Sequence, residues 1–133
     1  MSRNVTLFTG QWADLPFKQI CSTAKDFGYD GLELCCWGDH IELDKASKSK
    51  AYCEDKRAVL EENGLGCWAI SNHLSGQLVC DNIDERHYVF APSALKGDPK
   101  AIRKWAVDMQ KKAAKAAKRS EERRVGKECF VPC

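Results

Sequence analysis

The residues best suited to chemistry follow short apolar runs of the chain. His73 comes just after the run at 65–71, and although a lone histidine is more often structural, one that ends an apolar strand is well placed to meet a ligand. Asp39 and His40 follow the run at 30–36. A carboxylate beside an imidazole can orient a proton carrier or bind a hydroxyl group; the alternative is a surface Asp-His turn. These positions predict a site built from strand ends.

Two further side chains could line the same site. Glu33 interrupts the apolar run at 30–36, and because it alternates with Leu32 and Leu34 it is expected on the opposite face of the strand. A carboxylate buried there needs a cation, a hydrogen-bond donor or a bound ligand, and an internal salt bridge to a later lysine or arginine is the alternative. Trp12 could form an apolar wall for a ligand ring or pack over the rim of the sheet.

Strands that alternate with helices would position these residues. The pattern of apolar residues predicts strands at 4–9, 30–36 and 65–71, and helices at 15–27, 44–63 and from Pro99 onward. Asp14 and Asp98 are the expected N-caps of the first and third helices. The segment 72–97 carries one weak helical turn near 84–88, and a connection of that length is uncommon unless it binds something or covers a site. The alternation predicts an α/β fold with parallel strands joined by right-handed crossovers, and both a barrel and a doubly wound sheet fit it.

Composition places the chain among ordinary globular proteins. Its 133 residues are 44% hydrophobic and 30% charged, which suits one domain. No apolar run approaches the roughly 20 residues of a membrane helix, and the N-terminus leads into a strand instead of a signal peptide, so a cytoplasmic location is expected. The net charge of +2 is small and its basic excess falls at 100–127, which argues against a nucleic-acid partner. The first strand is not followed by G-x-G-x-x-G, so nucleotide binding is disfavoured.

The cysteines show no metal-binding or disulfide pattern. Six of the eight lie in periodic apolar segments and none belongs to a C-x-x-C pair: Cys21, Cys35, Cys36, Cys53, Cys67 and Cys80. We interpret them as reduced and mostly buried thiols.

Four motifs stand at or near the predicted strand ends. They are Gly28-Tyr29-Asp30-Gly31-Leu32-Glu33-Leu34, Trp37-Gly38-Asp39-His40, Trp68-Ala69-Ile70-Ser71-Asn72-His73-Leu74 and Asp81-Asn82-Ile83-Asp84-Glu85-Arg86-His87. Together they resemble the sugar phosphate isomerase/epimerase family, which shares its barrel with xylose isomerase and the endonuclease IV group. The similarity extends over residues 4–118.

The resemblance implies a (β/α)8 TIM barrel of about 250 residues, of which this chain supplies a partial barrel of about three βα units of a parallel sheet. It implies a divalent metal, such as manganese or magnesium, and a sugar or polyol-derived ketone that loses and regains a proton next to its carbonyl. The family's Glu, Asp, His and Glu metal ligands stand on later strands, and no position here matches them. We therefore expect an inactive N-terminal fragment of an active enzyme, whose parent could be a homo-oligomer.

The resemblance also implies roles for individual residues. His40 and Asp39 would be catalytic, and the substrate would be held by His73, Glu33, Trp12 and Trp37. The expected partner is a small sugar, with no nucleic acid and no membrane. His87 lacks an evident partner and is expected at the surface.

The end of the chain departs from this pattern. Arg119 to Cys129 resembles the translation of a common DNA-sequencing adapter. We therefore divide the chain into a barrel portion at 1–118 and a non-native tail at 119–133. The alternative is a charged helix end followed by a solvated tail.

Other interpretations stay open. An endonuclease IV-like metal-dependent phosphodiesterase would need more histidines than His40 and His73 at the strand ends. A non-catalytic barrel that binds a ligand and a small autonomous β/α domain are further alternatives. Three units cannot close a barrel, so the chain alone should self-associate and leave part of its inner side uncovered, at Val5, Leu7, Cys35 or Trp68.

Overall fold

Strands and helices alternate along the chain. The structure, a computed structural model, describes residues 3–121. The strands are β1 (Thr6–Phe8), β2 (Gly31–Cys35) and β3 (Gly66–Ser71). The α-helices are α1 (Phe17–Asp26), α2 (Leu43–Ala46), α3 (Lys50–Glu62), α4 (His73–Cys80) and α5 (Pro99–Glu121). Short 3-10 turns cover Thr9–Trp12, Glu85–Phe90 and Ser93–Leu95.

The strands form one parallel sheet in the order β1-β2-β3. Phe8 pairs with Glu33, which in turn pairs with Ala69, while Leu7 pairs with Leu32. Paired residues lie on the same face of a sheet, so Glu33 and Leu32 belong to opposite faces. The predicted α/β class with parallel strands is confirmed, and so is the predicted alternation along β2.

The helices cover the Leu32 face of the sheet. Leu32 and Leu34 are 0% and 2% exposed. They share one core with the apolar sides of α1, α3 and α5, which contribute Phe17, Ile20, Cys21, Ala24, Cys53, Leu60, Ala113 and Ala116. A smaller cluster joins α4 to α5 through Leu78, Ile102 and Ala106.

The start of α5 follows the sequence prediction. Oδ1 of Asp98 accepts hydrogen bonds from the N–H groups of Lys100 and Ala101, at 3.1 and 3.0 Å. These two N–H groups belong to the first turn and have no partner within the helix. Asp98 is therefore the N-cap of α5, with Pro99 as its first residue.

Three local predictions are wrong. Asp14 does not cap α1, whose N-cap is Pro16, without a side-chain hydrogen bond. The helix expected at 44–63 is divided into α2 and α3, because Ser49 begins α3 by accepting a first-turn N–H. The helix α4 lies in the segment expected to be largely irregular. At eight residues, with Gly76 inside it, this helix has too short a periodic pattern to be recognised.

The face of the sheet opposite the helices carries Trp68. Its ring covers the backbone of Gly31 and Gly66, where an added Cβ atom would come closer than 3.0 Å to ring atoms. Trp68 is 41% exposed and Val5 is 57% exposed. Trp68 thus lies on an uncovered side, as the sequence predicts, whereas Val5 is exposed but alternates with Leu7 and so belongs to the helix side.

The same expectation is wrong for Leu7 and Cys35. Leu7 packs against the helix-side core, and Cys35 is 0% exposed. The six cysteines of residues 3–121 form no disulfide with one another, and four of them are buried, as the sequence predicts. Burial raises the pKa of Cys21 and of Cys36 to about 12, so both remain neutral thiols.

The helix α5 extends beyond residue 118, where the sequence suggests that the barrel portion ends. The helix continues to Glu121, and the rest of the predicted tail, with Cys129 and Cys133, lies outside the described residues. None of the described helices, the 23-residue α5 included, combines the length and the apolar character needed to cross a membrane.

Candidate functional site

Three rings meet where the parallel strands end. The ring centroid of His73 lies 5.1 Å from that of Trp37, with the planes perpendicular, and 5.8 Å from that of Phe8. The centroids of Phe8 and Trp37 are 6.0 Å apart, in an edge-to-face arrangement. We call Phe8, Trp37 and His73 the aromatic edge cluster. It is formed by the last residue of β1, a residue after β2 and the first residue of α4, because parallel strands bring these points to one edge.

The backbone of Gly10 closes one side of the aromatic edge cluster. A Cβ atom at Gly10 would lie closer than 3.0 Å to the side chains of both Phe8 and Trp37. Glycine is therefore the residue that allows the 3-10 turn at Thr9–Trp12 to approach the two rings. Neither Phe8 nor Gly10 is identified as a site residue from the sequence, because a strand-end phenylalanine and the glycine after it look like ordinary fold residues.

Within the cluster, His73 is the exposed member. Its Nδ1 lies 3.0 Å from the hydroxyl of Ser71, the last residue of β3, which fixes the orientation of the ring. The other ring nitrogen, Nε2, makes no hydrogen bond to another described residue. The indole nitrogen of Trp37 also has no acceptor among residues 3–121. Two ring nitrogens at one edge are thus available to a ligand.

Glu33 lies on the same face of the sheet as Phe8, its partner in register. The side chain is half-buried, and its carboxylate makes no hydrogen bond or ion pair with another described residue. The salt bridge considered as its structural alternative is therefore not formed within residues 3–121. A half-buried carboxylate without a partner can accept hydrogen bonds from ligand hydroxyl groups.

His40 is fully buried, at 0% exposed. Its Nε2 lies 3.1 Å from the carbonyl oxygen of Leu15, and its Nδ1 lies 2.8 Å from the hydroxyl of Thr9 and 3.3 Å from Sγ of Cys35. A carbonyl can only accept, so Nε2 carries the hydrogen and Nδ1 is the acceptor. Desolvation lowers the pKa of His40, which keeps the imidazole neutral. As placed, this ring has no surface that could meet a substrate.

Asp39, in the loop after β2, contacts both α1 and α3. Its Oδ2 accepts the N–H of Phe17, the first residue of α1, at 2.9 Å. Lys56 of α3 donates to the carbonyl oxygen of Asp39 and lies 3.4 Å from its Oδ1. The hydrogen bond from Phe17 lowers the pKa of Asp39, with Lys56 adding to the effect. The N–H group that Asp14 was expected to cap is thus capped by Asp39, from the loop after β2.

The remaining predicted residues lie apart from the cluster. Trp12 is partly buried and packs against the helix-side core. His87, expected at the surface without a partner, has a side chain that is only 12% exposed. Its Nε2 lies 3.4 Å from Asp81 and its Nδ1 lies 3.2 Å from Asp84. The prediction for His87 is therefore wrong. Arg86 donates to Asp84 and holds the pKa of that carboxyl well below its usual range.

The described residues do not fit the divalent metal that the resemblance implies. Among residues 3–121, no three His, Cys, Asp or Glu side chains are close enough together to hold a metal ion. The two carboxylates beside His87 face different ring nitrogens, so these three side chains do not converge on one point. The chemistry available here is ligand binding through ring faces, ring nitrogens and the Glu33 carboxylate.

A separate cavity of about 240 Å³ lies on the helix side of the sheet, between α3, β3 and α5. Small side chains leave this space open, and they include Ala46, Cys53, Cys67 and Ala116. None of the six site residues predicted from the sequence lines it. We regard it as a packing gap, because α3 has few large apolar residues to fill it.

Fold and site together define a mixed α/β protein with a three-stranded parallel sheet and an aromatic cluster at its carboxyl edge. No protein-family profile matches the chain, and a comparison with curated proteins finds no relative.

Proposed function

We propose that this chain forms the first three βα units of a xylose isomerase-like barrel, in a metal-dependent sugar isomerase or epimerase. The aromatic edge cluster would form one wall of its sugar site. The proposal rests on the meeting of Phe8, Trp37 and His73 at the carboxyl edge of strands in the order β1-β2-β3. That edge is where barrel enzymes of this architecture bind substrate. The open face with Trp68 supports the proposal, since further strands of a barrel would cover it.

Each unpaired group would have a part in binding. The apolar face of a sugar ring packs against Trp37, as aromatic side chains commonly do with ligand rings. His73, oriented by Ser71, bonds a hydroxyl through Nε2, and Glu33 accepts from another hydroxyl. The isomerisation itself, removal and return of a proton next to the carbonyl, needs groups that these residues do not supply. Their part is to bind and orient the sugar.

Binding of D-fructose to the 133-residue chain, followed by calorimetry at neutral pH, tests the proposal. Trp37→Ala should weaken binding about three- to tenfold, because an aromatic contact contributes about 0.5–1.5 kcal/mol. Phe27→Ala is the matched control, since Phe27 is 66% exposed and follows the last residue of α1, at the other edge of the sheet. No binding by the unsubstituted chain, or equal losses in the two variants, would contradict the proposal.

A further inference from the structure

Hydrogen bonds around His40 tie together the segments that carry the aromatic edge cluster. The neutral ring donates from Nε2 to the carbonyl of Leu15 at 3.1 Å, so Nδ1 must accept. The hydroxyl of Thr9 is the donor to Nδ1, at 2.8 Å. The oxygen of the same hydroxyl accepts the N–H of Cys35 at 3.1 Å. The bonds run in one direction, from Cys35 through Thr9 and His40 to Leu15.

This hydrogen-bonded chain is adjacent to two of the three rings. Thr9 lies between Phe8 and Gly10, whose backbone approaches the rings of Phe8 and Trp37. Cys35, where the bonds begin, has its Sγ 3.4 Å from the carbonyl oxygen of Trp37 and positioned to donate to it. Thr9, Cys35 and His40 are each 0% exposed, so water cannot replace the bonds while the fold stays closed. The position of both rings therefore depends on the bonds that His40 receives and makes.

We propose that His40 is a positioning residue that holds Phe8 and Trp37 in the geometry needed for sugar binding, and that protonating it releases them. The sugar ligand in this inference rests on the proposed function. The role of His40 in positioning the two rings does not. Protonation would place a hydrogen on Nδ1, where the Thr9 hydroxyl now donates, and would leave a charge in a buried site. The bond between Thr9 and His40 would then have to reverse or break, while Nε2 would still donate to Leu15.

The charged and titratable groups around the ring set the direction of the pH effect. Desolvation is the main cause that lowers the pKa of His40. Lys56 of α3 acts in the same direction, whereas Asp39 and Asp14, both in loops, favour the charged ring. On β2, burial raises the pKa of the Cys35 thiol, so no thiolate forms that could neutralise an imidazolium. The folded state thus favours neutral His40, and its stabilising effect is present above the unfolded value of 6.5 and is lost as pH falls through the lowered folded pKa.

The test uses NMR and ligand binding together. The α-hydrogens of Gly10 lie against two rings and should show strong ring-current shifts at neutral pH. Those shifts should collapse on acidification below pH 6.5, and the affinity for D-fructose should fall about tenfold over the same interval. In Thr9→Val the hydroxyl is lost at nearly constant shape, so the shifts should already be reduced at neutral pH. Thr9→Ser should restore them.

Controls separate this inference from the proposed function. Thr6→Val, at an exposed position of β1, should leave the Gly10 shifts and their pH profile unchanged. In His40→Gln the acid-dependent change in the Gly10 shifts should disappear. If that variant does not fold, the comparison of Thr9→Val with Thr9→Ser still tests the role of His40. Unchanged Gly10 shifts in Thr9→Val, or no pH dependence in the unsubstituted chain, would overturn the role of His40. Normal Gly10 behaviour without sugar binding would instead overturn the sugar site and keep the positioning role.

Discussion

At the scale of single residues, His40 and His73 have opposite environments although each follows a strand. His73 is exposed and has one ring nitrogen without a hydrogen bond to any described residue, whereas His40 is fully buried with both nitrogens bonded. The difference comes from the hydroxyl of Thr9 and the carbonyl of Leu15, which precede His40 in the chain by 31 and 25 residues. Partners so distant along the chain cannot be recognised in a single sequence. A histidine after an apolar strand is thus an ambiguous signal.

Asp39 provides a prediction at this scale. Asp39→Ala removes the cap of α1 and the partner of Lys56, so we expect a loss of about 0.5–1 kcal/mol in the free energy of unfolding, kept small because the side chain is 60% exposed. Asp39→Asn keeps an oxygen that can accept from Phe17 and should lose less. Urea denaturation at neutral pH measures both.

The contribution of Asp39 to stability should also depend on pH. The folded pKa of Asp39 lies below its usual 3.8, so its contribution is present above that value and fades as pH falls through the folded pKa. The stability difference between Asp39→Ala and the unsubstituted chain should therefore shrink in strong acid. A difference that stays constant across this range would show that the carboxylate charge plays no part.

At the scale of elements, the sequence predicts the three strands and the long helix well. Alternation along β2 separates Leu32 from Glu33, and Asp98 before Pro99 marks the start of α5. These features are local, so a pattern of nearby residues contains them. The break at Ser49 and the helix α4 are not recovered, because they depend on a serine hydroxyl and on packing against α5.

Contact between Trp68 and two glycines of the sheet can be tested by a double-mutant cycle. Gly66→Ala should cost about 1–3 kcal/mol, because the atoms nearest to the new Cβ all belong to the Trp68 ring. In a Trp68→Ala background the same change should cost little. Gly31→Ala should remain costly in both backgrounds, since the backbone carbonyl of Gly66 also stands in its way. Equal costs for Gly66→Ala in the two backgrounds would mean that Trp68 does not cover it.

The gap between α3, β3 and α5 predicts a stabilising substitution. Ala116 is 3% exposed and lines the cavity of about 240 Å³, so Ala116→Leu should fill part of it and raise the free energy of unfolding by about 0.5–2 kcal/mol. Ala114→Leu, on the exposed side of the same helix, should change stability little. Thermal unfolding of both variants measures the difference. A destabilised Ala116→Leu would show that the space is already filled.

At the scale of the whole molecule, the sheet is left open. Both β1 and β3 are edge strands within residues 3–121, and Trp68 remains exposed on the face without helices. Exposed edges and apolar side chains are typical surfaces for further strands or other chains. The proposed three-unit arc of a barrel would account for the open face, the edges and the aromatic edge cluster together. The sequence predicts the parallel strands through its apolar pattern, but the contacts among Phe8, Gly10 and Trp37 appear only once the strands are aligned.

The most direct test of the sugar site is a titration of the 133-residue chain with D-fructose, followed through the NMR signals of the tryptophan indole N–H groups. The indole of Trp37 has no acceptor among the described residues and lies beside His73, so its signal should shift and saturate. The signals of Trp68, on the open face below that edge, and of Trp105, a residue of α5 that packs against the cluster joining α4 to α5, should stay in place. An unmoved Trp37 signal, or a shift confined to Trp68 or Trp105, would contradict a sugar site at the carboxyl edge.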